Sequence, residues 1–392
     1  MKRVHANKHP VAMAIAISLA LMGAASAFAG PSERAQAKRI HDRLAGVPAT
    51  EAVLDQMETL IVSGQAVQAA RIAMQAKTFY TTTLKNWVTP WTNEEQTVFA
   101  PLNDYTATVI GMIRDDVDYR QVLSGDILYV GGSGLPAYSP TDNNLYQQME
   151  DQDVDLSSTS VLVASTQSSR TGLPAPATAG VITTRAAAQA FFEAGTNRAM
   201  FRFTLMNHMC KDLEQVHDVN LPPDRIRQDV SRSPGGDSRV FLNNCIGCHN
   251  GMDPLTQAFA YYDWDATAGR MLYTDGQVQP KYLINQDNFK PGYVTKNDGW
   301  DNYWRNGANT VLGWDGSLPG RGAGAKSMGT ELAHSEQFAR CAVEKVFKTV
   351  CLHPPANAQD RTKVNDFITV LKSGGYKMKD VFAETAAYCK GT

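Results

Sequence analysis

The chain has 392 residues, 37 Lys+Arg against 39 Asp+Glu, and a formal net charge of −2. That length suits one large domain or two to three smaller ones with a substantial buried core. The mildly acidic balance offers no electrostatic footing for nucleic acid, which a basic surface would attract.

The first 29 residues read as a signal peptide. Lys2, Arg3 and Lys8 form a positive start, Val11 to Ala27 is almost wholly small and apolar, and Ala27-Phe28-Ala29-Gly30 offers a small-x-small cleavage site. Cleavage is placed after Ala29, with Ala27 as the alternative. The apolar run is short for a membrane span and has no charged stop after it. Gly30 rather than Cys follows the cut, which argues against a lipid anchor. The expectation is export, to the periplasm or alternatively to an outer-membrane or cell-surface location. No later segment is long and apolar enough to span a bilayer. Without residues 1–29 the chain keeps 34 Lys+Arg against 39 Asp+Glu, a net charge of −5.

The predicted fold is mainly α, a multi-helix exported protein with an irregular, aromatic-rich middle. Residues 30–125 read as an N-terminal helical region. Ser32 is placed to cap a helix running to Leu44, and Thr50 precedes an amphipathic stretch Glu51–Val62. Gly64 interrupts, Ala66–Thr83 resumes the helical spacing, and Asn103–Arg114 is a further candidate. Residues 126–183 read as a loop-rich connection with short strands. They carry Gly131-Gly-Ser-Gly134, scattered Pro, and an acidic patch at Glu150, Asp151, Asp153 and Asp155 that reads as a solvated turn rather than a calcium loop. Residues 184–328 form the next region, helical over 184–216 and irregular over 250–325. Residues 329–392 read as a three-helix unit, with Glu331–Cys351 as one helix.

The chemistry concentrates at Cys245-Ile246-Gly247-Cys248-His249. On a helical turn, residues three and four apart share a face. Two thiols so placed reach the two vinyl groups of one haem, and the adjacent histidine falls beneath the porphyrin as the proximal iron ligand. About 0.002 such pentapeptides are expected by chance from the chain's own Cys and His frequencies. A zinc site would need a second ligand pair, and no second CxxC or HxxxH exists after residue 29; the one HxxxH, His5–His9, lies in the expected signal peptide. A thioredoxin-like dithiol would need a βαβ setting. The motif therefore predicts one covalent haem c, held by Cys245 and Cys248, with His249 on the iron. From Gln257 to Trp304 the chain places 11 of its 34 aromatics in 48 residues, where even spreading gives about 4. Tyr262, Trp264 and Arg270 are the predicted haem environment, with Arg305 and Arg321 as further propionate partners. On the distal side Met328, in the Gly-rich approach Arg321–Met328, is the first candidate and His334 the second. Met252 should fall on the proximal side; Met271, Met378 and His353 downstream and Met206, His208 and Met209 upstream stay open.

Four other cysteines remain: Cys210, Cys341, Cys351 and Cys389. Ten residues of helix would separate Cys341 from Cys351 by roughly 15 Å, beyond disulfide reach. Antiparallel C-terminal helices favour Cys351–Cys389, leaving Cys210–Cys341; free buried thiols are the alternative.

Several segments resemble the planctomycete-type cytochrome c family, large exported proteins with a haem domain near the C-terminus. Asn244–Asp263, with its CxxCH-x-x-Met-Asp-Pro run, resembles that family's haem segment, although Thr256 stands where Gly is usual. Gly180–Arg185 and Thr196-Asn197-Arg198 resemble the stretch before the haem. Leu332–Cys341 resembles the C-terminal helical domain, and Arg114–Leu123 the N-terminal helical part. The resemblance implies cytochrome character and export, not a substrate. Together with the single CxxCH, it predicts an exported monohaem c-type cytochrome that transfers electrons to an extracytoplasmic redox partner. The alternative is a haem-dependent oxidase or peroxidase with an open distal position.

Overall fold

The computed structural model describes residues 32–391. The expected signal peptide lies outside the described residues. Three N-terminal helices begin the fold: Glu33–Ala45, Glu51–Val62 and Ala66–Ala73. Ser32 and Thr50 cap the first two through their side-chain oxygens. Their apolar stripes pack on one another and on the C-terminal helices Glu336–Cys351 and Met378–Tyr388. Arg39 and Arg43 donate to the carbonyls of Lys390 and Cys389 at 2.6 and 2.5 Å, so the two ends of the described chain are tied together. The expected helix Ala66–Thr83 breaks after Ala73. It restarts as a π-helical stretch, Phe79–Leu84, across Thr81-Thr82-Thr83, whose β-branched side chains crowd a regular helix.

The Asp104–Arg114 helix is buried along its whole length. Its Asp104 carboxylate accepts from the backbone N–H groups of Arg185 and Ala186 at 2.7 and 3.0 Å and so holds the start of the Arg185–Phe191 helix. The 126–183 region contains one antiparallel pair, Leu128–Gly131 with Leu162–Ser165, and an unexpected helix, Asn144–Asp151. The acidic patch there is tied to its neighbours: Glu150 pairs with Lys85, Asp153 with Lys77, and Asp155 accepts from Ser157.

Two further predicted helices are divided. The 184–216 stretch splits into Arg185–Phe191 and Arg198–Met209, because Gly195 and Asn197 take positive φ angles of 62° and 60° between them. The expected helix Glu331–Cys351 is two, Gly324–Ala333 and Glu336–Cys351, since the Ser335 hydroxyl accepts from the Phe338 N–H and starts a new helix. Among the described residues the fold is mainly α, with fifteen α-helices and three two-stranded sheets. One continuous apolar core runs from Ala37 to Ala386, so the N-terminal and C-terminal regions share it. Cys210 bonds Cys341 and Cys351 bonds Cys389, with Cα separations of 5.3 and 5.4 Å. No helix of the described residues is long and apolar enough to cross a membrane.

Candidate functional site

The cysteine motif sits on a helix built in three pieces: an α turn Ser238–Val240, a π-helical turn Phe241–Cys245 and the α-helix Ile246–Thr256. Pro254 removes an intrahelical donor, and the helix ends two residues later. Cys245 and Cys248 are free, partly exposed thiols. The Cys248 thiol donates to the Leu213 carbonyl at 3.7 Å. Burial, followed by the nearby Glu214 carboxylate, pushes that thiol up. A thiol so held is poorly suited to disulfide exchange, which needs a ready thiolate.

His249 lies one turn before Asp253, and its Nδ1 is 3.2 Å from Asp253 Oδ1. Burial alone would push the Asp253 carboxyl up, but the Arg198 guanidinium and His249 outweigh it and hold it well below the usual carboxylate range. An ionised carboxylate only accepts, so the neutral imidazole carries its proton on Nδ1 and leaves the Nε2 lone pair free for a metal. A carboxylate behind one ring nitrogen is the arrangement that orients a metal-ligating imidazole and raises its basicity. Arg198 clamps Asp253 through Nε and Nη2 at 2.7 and 2.9 Å, and the same guanidinium bonds both oxygens of Asp229 at 2.6 and 3.0 Å. Asn197 donates to the carbonyls of Phe259 and Tyr262, both at 2.9 Å. The break in the 184–216 helix therefore positions Arg198 against the motif helix and Asn197 against the segment that follows it.

The other face of this helix has no room for a side chain at two points. A Cβ on Gly247 would meet the His217 ring at 2.2 Å, and one on Gly251 would meet the Trp304 indole at 2.0 Å. A strap at 217–221 crosses there. The Asp218 N–H donates to the Gly247 carbonyl at 2.9 Å, and the Asn250 amide donates to the Asp218 carbonyl at 2.6 Å. The motif helix is thus held by backbone contact and polar bonds, with Met252 and Leu255 as its apolar anchors.

These residues fit a covalently held haem. The two thiols are free, the imidazole presents Nε2, and its tautomer is fixed. Exposed apolar side chains lie on the same helix, at Leu242 and Val240, and on the adjoining segments, at Val219 and Val311. Among the described residues no group of three or more His, Cys, Asp or Glu side chains could hold a metal ion. A porphyrin brings four iron ligands of its own and asks the protein for one or two.

The predicted surroundings are placed elsewhere. Tyr262 and Trp264 lie on the hairpin Tyr262–Asp265/Arg270–Tyr273, which packs on the Arg185–Phe191 helix. The Tyr262 hydroxyl donates to the Ala177 carbonyl, and its ring packs on Phe192 and Tyr273. Arg270 is exposed and lines a small cleft with Tyr138 and Arg185. No hydrogen bond, ion pair or ring contact joins any of the three to residues 245–249. These aromatics build the core of their own hairpin, which composition alone does not distinguish from a haem wall. Arg305 is paired with Glu331 and Arg321 is exposed. Met328 is fully buried, on a helix that packs against Gln257–Phe259 and Tyr119–Val122. His208 is buried between Trp91 and Tyr105, with its Nε2 2.8 Å from the Tyr105 hydroxyl, and Met209 accepts from Ser335. The Nδ1 atoms of His334 and His353 lie 2.8 Å from the carbonyls of Thr330 and Pro354.

Sequence reasoning passed over Asp253, Arg198 and His217 as site residues. The first was readable: Asp253 stands four residues after His249, on the same helix face. Arg198 is linked to Asp253 only through the fold. The chain matches no protein-family model, and no curated protein or solved structure matches it.

Proposed function

We propose that the chain is an exported monohaem c-type cytochrome that carries electrons for an extracytoplasmic redox partner. The likeness of residues 244–263 to the planctomycete-type cytochrome c family is part of that proposal. Cys245 and Cys248 would form the thioether links, and His249 Nε2 would be the proximal iron ligand. The observation that carries the reading is the imidazole of His249, set beside two free thiols with Nδ1 on a buried carboxylate. Bound there, a haem supplies one-electron chemistry at iron. The protein's residues do the rest. Asp253 fixes the His249 tautomer, Arg198 keeps Asp253 ionised, and the 217–221 strap holds the motif helix in place.

One feature favours the alternative, a haem-dependent oxidase or peroxidase with an open distal position. A carboxylate behind the proximal imidazole makes it a stronger donor, which stabilises the more oxidised iron. Asp253→Asn should therefore raise the midpoint potential by an amount on the order of 60 mV, a tenfold shift for one electron. Optical and EPR spectra of both redox states separate the readings. Low-spin iron inert to cyanide, azide and carbon monoxide supports the electron carrier. High-spin iron that binds them supports the enzyme, and absence of haem removes both.

A further inference from the structure

An open cleft of about 430 Å³ lies between the Arg198–Met209 helix, the Glu336–Cys351 helix and the Thr89–Thr92 turn. Trp91, Met206, Lys211, Gln215 and Lys345 are among its lining residues. Its volume is at the small end of ligand sites.

Its charge is unusual. Lys345 is half-buried, with its ammonium 4.1 Å from the centre of the Trp91 ring. Among the described residues no carboxylate pairs with Lys345 or Lys211, and neither ammonium donates a hydrogen bond. The acidic side chain of the cleft, Asp212, is committed elsewhere: its two oxygens accept from Arg202 at 2.8 and 2.6 Å, and one also accepts from the Leu213 N–H. Burial, reinforced by the neighbouring Lys348, pushes Lys345 down to about 7. Desolvating an ammonium without a counter-charge destabilises a fold, and an apolar residue of similar size would not carry that cost. The Trp91 face offsets only part of it.

We propose that this cleft binds a small organic carboxylate, with the anion between Lys345 and Lys211 and its apolar body against Trp91 and Met206. The two ammonium groups supply the missing pairing, and the indole and thioether supply apolar contact next to it. Gln215 places the cleft wall on the Leu213–Val216 turn, whose Leu213 carbonyl takes the Cys248 thiol. The cleft and the cysteine motif therefore share that turn, but the proposal does not rest on haem.

Calorimetric titration of the full-length protein with benzoate and cyclohexanecarboxylate, with benzylamine as the opposite-charge control, tests it. Saturable binding of the two carboxylates, no binding of the amine, and quenching of tryptophan fluorescence are expected. Lys345→Met should weaken benzoate at least about tenfold with its circular dichroism unchanged, and Lys211→Ala should weaken it less. Lys345→Arg should retain part of the affinity, and it serves as the reporter should Lys345→Met fail to fold. No saturable binding of either carboxylate up to about 10 mM overturns the proposal. So does Lys345→Met binding benzoate as tightly as the native chain, or benzylamine binding as tightly as benzoate.

Discussion

The shell of terminal helices and the motif helix are held by different forces. Glu33–Ala45, Glu51–Val62, Ala66–Ala73, Glu336–Cys351 and Met378–Tyr388 bury apolar stripes against one another. The Ile246–Thr256 helix contains Gly247, Asn250, Gly251, Asp253 and Pro254, a poor set for helix propensity and for packing alone. It is fixed by Arg198 on Asp253, Asn250 on the strap, and two glycines that admit His217 and Trp304. A helix held by apolar area tolerates many substitutions of similar volume. A helix held by a few buried polar bonds fails when one partner is lost.

That contrast sets the order of expected effects. The largest belongs to Arg198→Ala, which leaves Asp253 buried without its guanidinium, with only His249 and the Arg227 N–H on it, and should cost about 3–5 kcal/mol in urea unfolding. Asp253→Asn in the same chain should recover part of the loss, and a loss under about 1 kcal/mol for Arg198→Ala would erase the contrast. Removing the Cys351–Cys389 bond with Cys351→Ser and Cys389→Ser should cost about 2–4 kcal/mol, with the loss confined to the helical shell in hydrogen exchange. Gly251→Ala should cost about 1–3 kcal/mol because the new methyl meets the Trp304 indole. Trp304→Phe in that background should relieve part of the strain, and additivity of the two would deny the contact.

Per pH unit the smallest effect, at most about 1.4 kcal/mol, is a pH dependence within the shell. Lys345 is held at about 7 against an ordinary 10.5. Between those values the unfolded chain binds more protons at this site than the folded one, so folding stability gains with rising pH. Below about 7 the group is protonated in both states and contributes no slope. Lys345→Met should flatten that rise, while Lys211, Asp212, Glu344, Lys348 and His208 remain as the neighbouring charged and titratable groups. Equal slopes in the native chain and the variant would place Lys345 in water.

The shell was legible because its signals are local. Ser32 caps a helix where its side chain predicts, Thr50 caps the helix it precedes, and the 3.6-residue spacing locates the buried faces. The cysteine motif was legible for the same reason, being five consecutive residues. What surrounds it was not. Arg198 reaches Asp253 across 55 positions, and the Asn197 turn that brings it there interrupts a stretch whose periodicity reads as one helix. The aromatic run after Gln257 divides: Trp304 meets the motif helix at Gly251, while the hairpin aromatics pack among themselves. The run is rich enough to wall a porphyrin, yet Tyr262 and Tyr273 face their own hairpin core. Ser335 marked the start of a helix, but the apolar spacing that continues from Glu331 masked it.

The most direct measurement of the central claim is the intact mass of the denatured protein, produced in cells competent for c-type haem attachment, read beside its pyridine haemochrome spectrum. The account predicts one haem per chain that survives acid–acetone extraction and is lost covalently in the Cys245→Ala, Cys248→Ala double variant. A native chain of unmodified mass, or a haem that extracts freely, would contradict it.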